Sequence, residues 1–138
     1  MPGESCARPT KARRLPRALG EIEQLIAQGS YRQGLERADQ VLASAVASGD
    51  DARIGVTESL RARLLAGLGD DTLARQAFER AGKALAGEPA LLLANRLNQA
   101  NFEAARGQFD EAIEAYREVA DGARKLGDLE LEGPREVE

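Results

Sequence analysis

The residue types that most often perform catalysis are scarce in this sequence, and their scarcity narrows the chemistry that it could support. There is no histidine, which excludes Ser/His/Asp and Cys/His nucleophilic sites and imidazole metal ligands. The single cysteine, Cys6, excludes an internal disulfide and a CxxC metal site. No GxGxxG or GxxxxGKS/T motif is present to bind a phosphate. Acid–base chemistry would have to use carboxylates, lysine and tyrosine, which form no recognisable constellation, so we predict a non-catalytic protein without a metal or cofactor.

The composition predicts one small all-α domain. The chain has 138 residues, of which 43% are hydrophobic, 30% are charged and only 4% are aromatic. Alanine and leucine dominate the apolar residues, and side chains of this size suit closely packed helices. No apolar run approaches the length of about 18 residues that a membrane span needs, and the basic N-terminus lacks the apolar stretch of a signal peptide. We therefore expect a cytoplasmic protein that does not enter a membrane.

Helical spacing of apolar residues begins at Leu15 and continues, with short interruptions, through most of the chain. Residues 1–14 lack this spacing and are rich in basic residues, so we predict a flexible basic arm there. After the arm, apolar residues three and four positions apart predict six amphipathic helices. The residues that separate these helices are Gly29 with a capping box of Ser30 and Gln33, Gly49 with Asp50, Gly69 with Asp70 or Asp71, Gly87 with Pro89, and Gly107.

Three of these glycines mark an internal repeat. Gly29, Gly69 and Gly107 lie 40 and 38 residues apart, and each is followed by a short turn and an amphipathic segment. Alignment on them places a small residue four positions before a larger one, which allows neighbouring helices to approach closely. The aligned columns are Tyr31, Asp71 and Phe109; Gly34, Ala74 and Ala112; Ala38, Phe78 and Tyr116; and Val41, Ala81 and Val119. The predicted hairpins are residues 15–48, 49–87 and 88–126, and their core includes Leu35, Phe78, Ile113 and Tyr116.

The repeated segments resemble a known family. GQFDEAIEAYREVA looks like the second half of a tetratricopeptide repeat, and GSYRQGLERADQVL and GDDTLARQAFERAG are weaker copies of it. The period exceeds the usual 34 residues and is similar to the bacterial variety of about 40 residues, in which Gly-Asp marks the passage between repeats. SGDDAR at 48–53 and LGDLEL at 126–131 fit that junction. Ala18, Thr57 and Arg96 depart from the bulky residue that is usual on the first helices, which leaves a six-helix bundle or another α-solenoid as alternatives.

The resemblance implies a short right-handed α-solenoid of three antiparallel hairpins, in which the first helices line a groove. In this family the groove contacts come from polar or small residues on the first helices, which here are Glu23, Ser59, Arg63, Asn98 and Asn101. Asn98 and Asn101 are one turn apart and could hold a peptide backbone through their amides, and Arg63 could bind a carboxylate. Solvated helix positions without a role are the alternative for each residue, and both Ser59 and Asn98 are expected to be exposed.

The function implied by the resemblance is that of a non-catalytic scaffold or adaptor, which binds a peptide or protein partner in the groove. The alternative is a regulatory or sensor module of a bacterial signalling or transcription system, with a small ligand or a regulatory partner. A net charge of −4 and the lack of aromatic residues beside the basic arm argue against a nucleic-acid partner.

The C-terminal segment raises a separate question about partners. Residues 127–138 form either an acidic tail or the truncated start of a further repeat, which Gly133 and Pro134 would stop. A repeat array needs a polar helix to cover its last apolar face, and no such helix is visible. We therefore expect a longer parent protein, a tail that folds back, or self-association through the last helix.

Overall fold

The computed structural model describes residues 16–136, with side chains as far as Gly127. Within this range the backbone forms helices joined by short turns and contains no strand, which confirms the predicted all-α class. The predicted arm at residues 1–14, including Cys6, lies outside the described residues. The six helices are α1 (Arg17–Ala27), α2 (Tyr31–Ser48), α3 (Asp51–Gly67), α4 (Asp71–Ala84), α5 (Pro89–Ala105) and α6 (Phe109–Glu136).

Four of the five turns between these helices contain a glycine in the left-handed conformation. Gly29, Gly49, Gly69 and Gly107 have φ angles of 78°, 68°, 85° and 81°. In each turn the N–H of the residue after the glycine donates to a carbonyl five residues earlier, at 2.9 Å in three turns and 3.2 Å in the turn at Gly49. This pairing satisfies carbonyls at the helix end, and glycine adopts such φ angles without steric cost. The predicted turns at Gly29, Gly69 and Gly107 are therefore present.

The N-terminal caps agree only in part with the predicted ones. The carboxylate of Asp50 accepts a hydrogen bond from the backbone N–H of Arg53 at 3.3 Å, as a capping residue does. Ser30 makes no side-chain capping hydrogen bond, so the predicted capping box with Gln33 was wrong. The backbone of Ser30, at φ −86° and ψ 63°, lies outside the extended region from which a hydroxyl reaches the first free N–H groups. Pro89 is in the first turn of α5, as predicted.

The buried side chains form two clusters that share the central helix α3. The first cluster lies between α1, α2 and α3 and consists of Leu19, Ile22, Ala38, Val41, Leu60 and Leu64. The second lies between α3, α4 and α5 and consists of Ala62, Leu65, Ala74, Ala77, Phe78 and Phe102. Leu35 is half-buried and packs against both clusters. Phe78 is 1% exposed, which confirms its predicted core position.

Glycines permit close contacts inside the second and third hairpins. A Cβ atom on Gly55 of α3 would collide with the side chain of Leu85, which is buried just after α4. A Cβ atom on Gly122 of α6 would lie 2.7 Å from Cδ2 of Leu93 on α5. Gly55 and Leu93 are equivalent positions of the repeat, 38 residues apart. In the second hairpin the leucine therefore follows the second helix, and in the third it lies on the first helix and meets Gly122, one residue before the equivalent of Leu85. In both hairpins a leucine fills the space that a glycine leaves.

Each helix contacts the next one along the chain, and the first helix of each hairpin also contacts the first helix of the next hairpin. Contacts join α1 to α3 and α3 to α5, whereas no contact between α2, α4 and α6 occurs within residues 16–136. Because the connecting turns are short, consecutive helices run antiparallel. The first helices of the three hairpins thus form one row, and the second helices lie apart from one another.

Helix α6 is longer than predicted. Its backbone continues from Phe109 to Glu136, so the predicted junction at residues 126–131 and the predicted stop at Gly133 and Pro134 were wrong. Gly127 does not adopt a positive φ. A glycine inside a helix costs about 1 kcal/mol relative to alanine, whereas a turn would give up several backbone hydrogen bonds of about 1 kcal/mol each. Continuing the helix is therefore the more stable choice at Gly127.

Two side chains that were predicted to lie in the core are on the surface. Ile113 is 48% exposed and Tyr116 is 37% exposed, and both lie on α6. The physical reason is that α3 covers α2 and α5 covers α4, whereas no helix of the described range covers α6 in the same way. Other apolar residues of the predicted helix stripes are also exposed, namely Val46, Leu68, Leu73 and Leu97.

Candidate functional site

An open groove of about 370 Å³ crosses the row of odd-numbered helices. Three of the five predicted site residues line it: Arg63 on α3, and Asn98 and Asn101 on α5. The groove therefore brings together polar groups from two different hairpins. Its other lining residues are Ile26, Tyr31, Ala66, Gly67, Phe78, Phe102 and Arg106.

Arg63 and Glu23 form an ion pair between α3 and α1, beside the groove. Nη1 of Arg63 is 3.5 Å from Oε1 of Glu23, and their side chains are 31% and 57% exposed. An exposed pair at this distance contributes at most about 1 kcal/mol. Arg63 makes no other hydrogen bond to a described residue, so most of its N–H donors are available to a ligand.

Asn98 and Asn101 lie one turn apart on the groove side of α5. Oδ1 of Asn101 accepts a hydrogen bond from the phenol of Tyr116 at 2.6 Å. This bond connects α5 to α6 and orients the Asn101 amide so that its NH₂ group remains a donor. Asn98 is half-buried and lines the same groove. The two side-chain amides together offer donors and acceptors of the kind that an extended peptide backbone requires.

Ser59 does not reach the surface. It is 6% exposed and its hydroxyl has no hydrogen-bond partner, so the expectation that it would be exposed was wrong. The cause is the central position of α3, which contacts α1, α2, α4 and α5 and therefore has little free circumference. The neighbouring residues Thr57 and Glu58 are buried for the same reason.

Charged residues surround Phe102 at one side of the groove, an arrangement that was not predicted from the sequence. The guanidinium carbons of Arg75 and Arg106 lie 5.0 Å and 4.8 Å from the centre of the Phe102 ring, within the range of a cation–π contact. Arg75 also donates two hydrogen bonds of 3.2 Å to the carboxylate of Glu103. Arg75 lies on α4, Phe102 and Glu103 lie on α5, and Arg106 directly follows α5, so the arrangement joins the second hairpin to the third.

Asp71 and Arg106 form a second bidentate pair next to this ring. Arg106 donates to the Asp71 carboxylate over distances of 2.8 to 3.1 Å and to the carbonyl of Ala66 at 2.9 Å. The hydrogen bond from Arg106 holds the pKa of Asp71 below its ordinary value, and the same bond raises the pKa of Arg106. The sequence signal for this pair was the aspartate in the column that otherwise holds Tyr31 and Phe109.

A buried carboxylate connects the helices behind the groove. Glu58 of α3 is 6% exposed, and it binds Arg61 at 3.0 Å and Arg80 of α4 at 2.9 Å. At the equivalent positions of the third hairpin, Arg96 of α5 binds Glu118 of α6 at 2.8 Å. Both hairpins therefore have an ion pair at the same two positions, but the carboxylate is on the first helix in the second hairpin and on the second helix in the third. A pair that recurs in this way belongs to the packing of each hairpin.

The chemistry that the groove offers is that of binding through hydrogen bonds, one ion pair and aromatic contact. Among the side chains that the structure describes, from Pro16 to Gly127, no group of three or more histidine, cysteine or acidic residues is arranged to hold a metal ion. Residues 16–136 contain no helix whose length and apolarity would let it cross a membrane.

No family model, curated protein or solved structure matches the chain. Its function is therefore inferred from the groove and from the helices that build it.

Proposed function

We propose that this chain is a non-catalytic binding module of the tetratricopeptide-repeat type, whose groove holds an extended segment of a protein partner. The observation that carries the proposal is the meeting of Arg63, Asn98 and Asn101 in one open groove. Their side chains are polar, only partly occupied by other protein groups, and supplied by two successive first helices.

The packing of the helices supports a solenoid of three stacked hairpins. The turn glycines at positions 29, 69 and 107 share one backbone conformation at nearly constant spacing. Contacts join α1 to α3 and α3 to α5, as stacking of successive hairpins requires. A closed six-helix bundle would bring α6 back to α1, and the described residues of these helices make no such contact.

The geometry of the groove favours an extended peptide. A helical turn rises about 5.4 Å and two residues of extended chain span about 6.7 Å, so Asn98 and Asn101 can reach successive backbone groups on one side of a peptide. Arg63 lies across from them and binds a carboxylate of the peptide in exchange for its long contact with Glu23. The half-buried ring of Tyr31 supplies the apolar contact, since Phe102 is only 6% exposed and has two guanidinium groups against its ring.

The test is to capture the partner from a native lysate with the full chain, and then to measure binding of a synthetic peptide that covers the captured segment. Replacing Arg63 and Asn101 together by alanine should weaken the peptide Kd by at least about tenfold, because a charge-assisted bond and an amide bond are lost. Isothermal titration calorimetry gives the Kd of each variant.

Two control variants make this test specific to the groove. Lys83→Ala removes an exposed cation of α4 outside the groove, and it should leave the Kd unchanged. Tyr116→Phe removes only the phenol that binds Asn101, and it should change the Kd less than the double variant does. Wild-type affinity in the double Arg63 and Asn101 variant would refute groove binding.

A regulatory or sensor role is the second proposal, and the size of the groove favours it. A volume of about 370 Å³ lies within the range of about 300–1,000 Å³ that small-ligand sites occupy. If a metabolite library raises the melting temperature of the chain in the absence of any protein, and the Arg63 and Asn101 variant loses that shift, the small-ligand role is supported. If no metabolite raises it, only the peptide role stands.

A further inference from the structure

Helix α6 exposes a row of three large apolar side chains at the end of the stack. Phe109 is 64% exposed, Ile113 is 48% exposed and Tyr116 is 37% exposed. We call this row, with the charged residues that flank it, the α6 end face. These three residues are the equivalents of Tyr31, Leu35 and Ala38 in the first hairpin and of Asp71, Arg75 and Phe78 in the second.

The first position of the row is covered in both earlier hairpins. The ring of Tyr31 lies over Gly67 at the end of α3, where a Cβ atom would come within 2.8 Å of it. Asp71 binds Arg106 at the end of α5. In both cases the residue contacts the last turn of the first helix of the next hairpin. Phe109 has no such helix within the described residues, and it is the most exposed of the three.

The other two positions show the same difference. Leu35 packs against a cluster that includes residues of α3, and Arg75 binds Glu103 of α5. Phe78 meets the ring of Phe102 on α5 at a centroid distance of 5.7 Å. Two internal examples therefore show what covers this face, and in both cases it is an α-helix that lies along the row.

The charges of the end face indicate which kind of helix it accepts. A shallow depression of about 630 Å³ lies beside the row. Ile113 is the residue of the row that lines it, together with four carboxylates and one guanidinium. Glu118 and Asp121 are paired with Arg96 and Arg124, whereas Asp110 and Glu114 make no ion pair with a described residue. A helix that carries lysine or arginine beside its apolar stripe would neutralise them, whereas an acidic helix would be repelled.

A second copy of this chain is a poorer fit than a basic helix. The helix of a second copy that no preceding hairpin covers is α1, and the surface beside it is lined by Glu21, Glu36 and Arg37 together with Leu25, Gln33 and Gln40. That surface has two carboxylates to one guanidinium. Stacking it on the end face would bring like charges together, which costs binding energy.

We propose that the α6 end face is a docking site for a basic amphipathic helix of a partner protein, which packs on α6 as α3 packs on α2 and as α5 packs on α4. None of the three apolar residues of the row lines the groove, and only Tyr116 touches a groove residue, through its hydrogen bond to Asn101, so the test below changes Phe109 and Ile113 and leaves Tyr116 in place. Loss of one binding activity therefore leaves the other measurable.

The test uses a designed fluorescent peptide of about 18 residues, with leucine at three- and four-residue spacing on one face and lysine elsewhere. Two comparison peptides carry glutamate in place of lysine, or the same residues with the leucine stripe scrambled. Fluorescence anisotropy should show that the lysine peptide binds the full chain at least about tenfold more tightly than either comparison peptide.

Variants of the chain locate the peptide. Replacing Phe109 and Ile113 together by serine should weaken the lysine peptide by at least about tenfold. The matched control replaces Val46 and Leu73 by serine, since these side chains are also large, apolar and 58% and 45% exposed, and it should leave the affinity unchanged.

The proposal is overturned by equal binding of the lysine and glutamate peptides, by an unaltered affinity in the Phe109 and Ile113 variant, or by no binding at all. Sedimentation velocity of the wild-type chain tests whether a second copy occupies the end face instead. A concentration-dependent dimer that the Phe109 and Ile113 variant abolishes would assign the end face to a second copy instead.

Discussion

Position 71 shows how one location in a repeat can meet the same packing requirement with different chemistry. In the first hairpin the equivalent residue is Tyr31, whose ring lies flat against Gly67. In the second it is Asp71, whose carboxylate is held by Arg106, and Arg106 in turn lies over the ring of Phe102. Asp71 therefore still contacts the next hairpin, although the other two residues of its column are aromatic. Its partner Arg106 is 35 residues away, so the pair is invisible to local patterns.

The pH dependence of stability should report this pair. Arg106 lowers the pKa of Asp71 below its ordinary value of 3.8, so the carboxylate stabilises the folded state above that value and this contribution is lost as the pH falls through the lowered pKa. The Asp71→Asn variant should be less stable than wild type at neutral pH, and the difference should shrink in the acid range. Urea denaturation followed by circular dichroism from about pH 7 to about pH 3 measures it.

The neighbouring carboxylate supplies the control. Asp70→Asn removes an exposed carboxylate that makes no side-chain capping bond, so it should change the free energy of unfolding much less than Asp71→Asn does at neutral pH. Parallel stability curves for wild type and Asp71→Asn down to the acid limit would mean that the ion pair does not support the turn.

The helices and turns could be predicted from the sequence because local residues determine them. The glycines at 29, 69 and 107 adopt the left-handed conformation that a helix end needs, and the spacing of apolar residues fixes which face of each helix is buried. The exposure of Ile113 and Tyr116 could not be predicted in this way, because it depends on whether another helix packs against α6. The length of α6 was missed for a related reason, since Gly127 permits a turn but does not enforce one.

Close packing within the second hairpin gives a prediction at the scale of the element. Gly55→Ala should lower the free energy of unfolding by about 1–3 kcal/mol, because the new Cβ atom would displace the buried side chain of Leu85. Gly82→Ala is the matched control, since its Cβ atom would meet only the Asn95 amide at 3.8 Å. That variant should gain about 0.5–1 kcal/mol from helix propensity.

Urea denaturation of the two glycine variants and the wild type decides this point. Equal stabilisation by Gly55→Ala and Gly82→Ala would contradict the contact between Gly55 and Leu85. The comparison is informative because both glycines lie inside helices, so the gain in helix propensity is common to them and only the neighbouring atoms differ.

At the scale of the whole molecule, we propose two surfaces of the three hairpins as binding sites for partners. The groove brings Arg63, Asn98 and Asn101 together along the row of first helices. The end face lies on α6, which is the second helix of the third hairpin. Both groove asparagines and the arginine were selected through the resemblance to tetratricopeptide repeats, which implies groove positions on the first helices, and all three line the groove. Ser59 could not be placed correctly, because its burial results from contacts of α3 with four other helices.

The most direct test of the groove as the binding surface is a nuclear magnetic resonance titration of the ¹⁵N-labelled chain with the peptide of its captured partner. The largest amide shift changes should fall at the C-terminal parts of α1, α3 and α5, around Ile26, Gly67 and Asn101, with little change along the outer sides of α2 and α4. Shift changes confined to α2 and α4, with the row of first helices unaffected, would contradict the proposed function.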